Sequence, residues 1–134
     1  MNFGCSTPNT ELSSLSKIYR MVTDNLSWAE FEKVEMRTGT VVEVHDFPEA
    51  RKPAYQLTID FGAEIGILHS SAQITTRYRK EDLVGKQIIA VVNFPKKQIG
   101  KFMSECLVLG AVGADSDIVL LTSDIRVENG MRIG

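Results

Sequence analysis

The sequence predicts an all-β domain: a five-stranded barrel with short helices, carrying a helical extension at its N-terminus. Three observations lead there. The chain has 134 residues, the size of one domain. After Met36 its apolar residues change from helical spacing to a period of two, and turn signals divide five or more short strand patterns. A single helical segment falls between the third and fourth of these patterns. That arrangement favours an OB-fold barrel over a sandwich, and closure removes exposed strand edges.

Taken in order, residues 1–27 form the extension and residues 28–134 the barrel domain. The first ten residues are polar and contain Pro8. From Glu11 to Asp24, Leu12, Leu15, Ile18, Tyr19 and Val22 recur at helical spacing, which predicts an amphipathic helix stopping near Asn25. Met21 offers a second start position inside it. Ser27-Trp28-Ala29-Glu30 is a capping-box pattern, flanked by Leu26 and Phe31 where a hydrophobic staple needs them. Strands are expected at Thr40–Asp46, at Tyr55–Phe61 with its strict alternation, and at Ile65–Ser70 after the tight turn Gly62-Ala63-Glu64. Thr76 to Gly85 reads as a loop with one helical turn. Gln87–Phe94 is nearly all apolar, as for a strand buried on both faces. Met103–Ala111 and Ile118–Thr122 complete the set, and Asn129-Gly130 is a two-residue hairpin signal.

Composition narrows the function. Apolar residues make up 43% and charged residues 24%, ordinary for a packed globule and incompatible with bulk disorder. No apolar run reaches the ~18 residues of a membrane span, so insertion into a membrane is not expected. Two cysteines, Cys5 and Cys106, build neither a disulfide framework nor a zinc site, which favours a reducing, cytoplasmic setting. The net charge of −2 argues against a surface that binds nucleic acid everywhere. It hides a segregation, however: residues 77–101 carry 7 basic side chains against 2 acidic ones.

In a barrel of this type two loops flank the ligand face. The loop between the first two strands carries Arg51 and Lys52. The loop after the fourth carries Lys96, Lys97 and Lys101, with Phe94, Ile99, Phe102 and Met103 interleaved. The cations suit phosphates and the rings suit base stacking. The same rings and the methionine suit apolar peptide segments, and the alternative is that Ile99 and Met103 plug the barrel end. Ser71 and Gln73, where a strand ends on that face, offer hydroxyl and amide groups to a nucleotide or a peptide backbone, or cap a local turn.

Five segments then match a known family in order and spacing: Phe31 to Val41, FPEARKPAYQLTIDFG (47–62), IGILHSSAQIT (65–75), GKQIIAVVNFPKKQIG (85–100) and MSECLVLGA (103–111). Over about residues 28–134 the chain resembles the CsaA family, secretion-associated chaperones built on the tRNA-binding OB domain. The resemblance implies a homodimer that binds unfolded preproteins and export machinery, with tRNA as a second ligand. In the wider tRNA-binding domain family that the resemblance implies, the loop after the fourth strand has the form Asn, basic residues, Gly, Ser-x-Gly-Met. Asn93, Lys96, Lys97, Gly100 and Ser104 match it, whereas Cys106 and Leu107 replace the final Gly and Met. That departure makes preprotein binding the better of the two activities and a tRNA-binding module the alternative.

Catalysis is not expected. His45 and His69 sit singly on strand patterns, Cys106 falls in a strand that reads as buried, and no nucleophile triad, phosphate loop or dinucleotide fingerprint occurs. Asp115 and Asp117 share a turn without the calcium-loop pattern, so no metal or cofactor is assigned.

Overall fold

The computed structural model describes residues 24–134. The expected helix over residues 11–24 lies outside the described residues, apart from its last position. The chain divides into two units, residues 1–33 and 34–134. Within the first, α1 (Trp28–Glu32) opens with the expected capping box: Ser27 Oγ accepts from the Glu30 N–H at 3.1 Å, and the Glu30 carboxylate accepts from the Ser27 N–H at 3.0 Å. Two of the amides that a helix start leaves unpaired are thereby satisfied. Leu26 stays 69% exposed, so the staple is not a buried contact.

The second unit is the expected barrel. Its main sheet runs β3 (Ile67–Ala72), β2 (Tyr55–Asp60), β1 (Met36–Asp46), β4 (Gln87–Val91), β7 (Leu107–Val108), all neighbours antiparallel. The central strand β1 (Met36–Asp46) is 11 residues long and serves both sides of the sheet. Its first half pairs with β4 (Gln87–Val91) and its second half with β2 (Tyr55–Asp60). Two local features let one strand turn this corner. Val42 is an extra residue in the ladder, a bulge that increases the local twist. Gly39 lies so close to the core that a Cβ there would sit 2.7 Å from the Phe61 ring and 2.8 Å from Ile59. β3 (Ile67–Ala72) returns along β2 after a turn in which Gly62 and Gly66 take the left-handed φ values of 91° and 86°.

β2 alternates buried and half-buried residues along its whole length, which is the period-two pattern of its sequence. Leu57, Ile59 and Phe61 point into the core with Val41, Ile88, Ala90, Cys106 and Leu83. Leu83 comes from α2 (Lys80–Leu83), the single helical turn between β3 and β4. All five residues of β4 are buried, four of them apolar and the first, Gln87, hydrogen-bonded through its side chain.

The stretch Met103–Ala111 is not one strand. It divides into β6 (Phe102–Ser104), β7 (Leu107–Val108) and β8 (Gly110–Val112), because it serves three partners in succession. β6 pairs with β5 (Lys97–Ile99) in a hairpin, β7 with β4, and β8 with β9 (Ile118–Leu120). The barrel seam between β3 and the β6–β7 junction is held mostly by side chains. One backbone bond crosses it, from the Glu105 N–H to the His69 carbonyl at 2.7 Å. Ser70 Oγ donates to the Cys106 carbonyl at 2.9 Å, and Ser104 Oγ accepts from the Ser71 N–H at 3.2 Å.

Asn129-Gly130 does not make a hairpin. The last residues instead strap across β1, with the Thr38 N–H donating to Met131, the Gly130 N–H to Thr38, and the Ile133 N–H to Met36. Gly130 is needed there for its φ of 89° and because a Cβ would strike the Phe61 carbonyl. The strap also satisfies the buried polar groups of β1 and β4. Asn129 Oδ1 accepts from Thr40 Oγ1 at 2.7 Å and from Gln87 Nε2 at 3.2 Å, and Thr38 Oγ1 donates to the Glu128 carbonyl at 2.7 Å.

Candidate functional site

The loop between β1 and β2 and the β5–β6 hairpin stand on the same side of the barrel. Phe47, 4% exposed, anchors the loop, and its ring lies 5.2 Å from that of Phe102 on the hairpin at a tilt of 59°. The hairpin reverses at Gly100, whose φ of 62° suits glycine. Between loop, hairpin and the end of β3 runs an open groove of about 700 Å³. Arg51 and Lys52 line it from the loop, Ser71 and Gln73 from β3 and its end, and Lys97 and Ile99 from β5. Six residues assigned from the sequence thus share one concavity.

Lys97 also borders a second, smaller pocket of about 270 Å³ with Phe94, Pro95, Ser104, Cys106 and Leu107. Its walls are largely apolar. Phe94 is 54% and Leu107 48% exposed, so both present their side chains to solvent at its mouth. Cys106 is 6% exposed, and burial pushes its thiol up to about 12. The thiol is therefore a packed, protonated group, as its sequence setting suggested. A third hollow of about 230 Å³ lies between Phe47 and Phe102 and includes Lys101.

Three assigned residues stand outside these hollows. Asn93 Oδ1 accepts from the Glu35 N–H at 3.0 Å and so holds the start of β1. Met103 is 40% exposed and Ile99 is half-buried, so neither plugs the barrel end. Lys96 forms an ion pair with Glu105 at 3.5 Å. Phe102 does double work: its ring packs on Phe47 and meets the His69 ring edge-on at 6.3 Å.

Glu105 and His69 were not singled out as site residues by the sequence. Glu105 Oε1 accepts from the His69 N–H and faces His69 Nδ1, both at 2.9 Å. Burial would push the Glu105 carboxyl up, but the bonds from His69 and Lys96 outweigh it and hold it below the ordinary glutamate range. The only sequence trace of this cluster is one acidic residue between Ser104 and Cys106 in an otherwise apolar stretch. The cations divide accordingly. Lys96, Lys80 and Arg77 are paired with Glu105, Asp46 and Asp117. Among the described residues Arg51, Lys52, Lys97 and Lys101 have no carboxylate partner. Asp117 is thus engaged with a guanidinium, and among the described residues no three potential ligands gather into a metal site.

A small barrel with a polar groove and an apolar pocket that share Lys97 has the architecture of the OB type. Residues 36–132 match the family described as "Putative tRNA binding domain", and the chain belongs to that family. The chain is similar to the solved chaperone CsaA of Bacillus anthracis, with 49% identity and a TM-score of 0.78 over 82% of this chain and 99% of that one. It is also similar to the CsaA chaperone of Picrophilus torridus, with 50% identity and a TM-score of 0.77 over 82% and 100% of the two chains. The methionine–tRNA ligase of Bdellovibrio bacteriovorus is 34% identical over 108 residues, which are 81% of this chain and 15% of the ligase. The chain therefore spans a small part of the length of that curated relative.

Proposed function

We propose that this protein is a non-catalytic, CsaA-like chaperone of the cytoplasm that binds extended segments of unfolded preproteins and hands them to export machinery. The observation that carries this reading is the apolar pocket lined by the exposed Phe94 and Leu107, bordered by Lys97, which also lines the polar groove. An extended chain can place one apolar side chain in the pocket while Ser71 and Gln73 meet its backbone. Exposed apolar surface of this kind marks a protein-binding face.

The same reading makes the protein a homodimer. Ala111 and Val119 lie opposite each other in the β8–β9 pair, and Leu121, next but one to Val119, continues the same exposed apolar face. A second copy covering it would join two ligand faces and raise the effective concentration for a long client.

The test is binding of a denatured preprotein, followed by anisotropy, with a Phe94→Ser and Leu107→Ser double variant. Both side chains are exposed, so the fold should survive. A loss of affinity of tenfold or more supports the reading, and unchanged affinity in the folded variant refutes it. A second reading, tRNA binding, is favoured by the unpaired Arg51, Lys52 and Lys97 around the groove. It expects a steep fall of affinity with salt, as phosphate contacts release counterions.

A further inference from the structure

We propose that Glu105 is a specificity-determining residue of the ligand face: its carboxylate holds Lys96 away from polyanions and so weakens tRNA binding by one phosphate contact. The inference rests on the tRNA reading. Its ground is the position of one half-buried carboxylate in the middle of a basic face. Glu105 lies at the seam between β3 and β6, its side chain 17% exposed. Oε1 is fixed by the backbone and ring nitrogens of His69, both at 2.9 Å. The other oxygen, Oε2, meets Lys96 Nζ at 3.5 Å. Lys96 is itself exposed, with 66% of its side chain accessible, and this pairing is the contact the structure gives its ammonium.

Glu105 is anchored and Lys96 is not, so the carboxylate sets where the ammonium rests. A carboxylate held so firmly stays charged at neutral pH. It therefore acts in two ways: it neutralises Lys96, and it repels a phosphate approaching the Phe102 side of the face. Lys97, the next residue, turns toward the groove and has no such partner. Two adjacent lysines thus have different roles, which no reading of the sequence could separate.

Glu105→Gln is the discriminating variant. The amide oxygen can still accept from the His69 N–H, so the seam keeps its bond, while the charge is lost. The experiment is a titration of the full chain into labelled bulk tRNA across a salt series, with thermal unfolding run in parallel. The expected result is that Glu105→Gln steepens the slope of log affinity against log salt by ~0.7–0.9, one phosphate contact. The combined Glu105→Gln and Lys96→Ala variant should return to the wild-type slope. In the unaltered background, Lys97→Ala should lower the slope by a full contact and Lys96→Ala by less than half as much, a comparison that stands even if Glu105→Gln unfolds. Tight binding by wild type and Glu105→Gln with the same slope overturns the inference and leaves the tRNA reading intact. Binding by Glu105→Gln where the wild type binds weakly supports it. Absence of binding by every variant at low salt overturns both.

Discussion

Cys106 offers the sharpest measurement of how tightly the barrel closes beneath the ligand face. The residue is 6% exposed and lines the apolar pocket, and its thiol is pushed up to about 12 from an ordinary value of 9.0. Burial is the main cause, and Ser70 bonding opposes it slightly. At pH 8 an unperturbed thiol of this kind is about one-tenth thiolate, whereas the buried one is about one part in ten thousand. The thiolate is the nucleophile, so reaction with a disulfide reagent at pH 8 should be slower by about a thousandfold in a Cys5→Ser background. Linkage fixes the sign of the accompanying stability effect. The folded-state value is raised, so the stabilisation is complete below pH 9 and is lost as the pH rises toward 12. At about 1.4 kcal/mol per unit the loss approaches about 4 kcal/mol across that window. The assay is reagent kinetics on the native protein beside the urea-unfolded protein, with urea melts at pH 8, 9 and 10. Native reactivity within tenfold of the unfolded value, or melts unchanged from pH 9 to 10, would refute the account of a closed seam over this thiol.

Three further outcomes are expected. Gly39→Ala forces a methyl group against the buried Phe61 ring and Ile59 at under 3 Å; overpacking of this kind costs about 2–3 kcal/mol, read as a lower urea midpoint with unchanged slope. Asn129→Ala leaves Thr40 Oγ1 and Gln87 Nε2 without an acceptor they share; a loss of about 1–2 kcal/mol in the same melts is expected. Phe102→Ala removes ring contacts to Phe47 and His69 and should cost about 1 kcal/mol or more, whereas Phe94→Ala, on a 54% exposed side chain, should leave stability within about 0.5 kcal/mol. Equal effects for the two phenylalanines would remove the distinction between a ring that braces the loop and one that faces the ligand.

The strands whose residues answer to one neighbour environment were legible in the sequence. β2 alternates because one face meets the core, and β4 is apolar after Gln87 because both faces are covered. Ser27 and Glu30 announced their helix because a capping box is local chemistry. The failures share a cause as well. Residues 103–111 read as one strand because periodicity reports burial and not partners, and three successive partners leave no mark on it. Asn129-Gly130 suggested a hairpin because its sequence signal is conformational. The positive φ is there, but it serves a close approach to Phe61 and not a strand reversal. Likewise the loop positions of Arg51, Lys52 and Lys97 were enough to bring them together. Nothing in sequence distance could pair His69 with Glu105, 36 residues apart, or withdraw Lys96 from the basic set.

That withdrawal bears on how one face would serve the two kinds of ligand proposed for it. A polyanion is bound through the number of cations free to meet phosphates. A polypeptide segment is bound through apolar side chains and backbone partners, and each extra charge there must be desolvated. The two demands conflict on a single surface. Here they fall on adjacent areas that share one residue: the pocket of Phe94 and Leu107 is apolar, the groove of Arg51 and Lys52 is cationic, and Lys97 borders both. A ligand that seats in one hollow therefore meets the side chain that lines the other. If both proposed ligands bind here, the expected outcome is competition between them, and Lys97→Ala should weaken that competition more than any other single lysine change. The measurement is displacement of labelled tRNA by a denatured preprotein; displacement equally complete in Lys97→Ala and Lys101→Ala would show that the two ligands exclude each other by bulk and not through the shared residue.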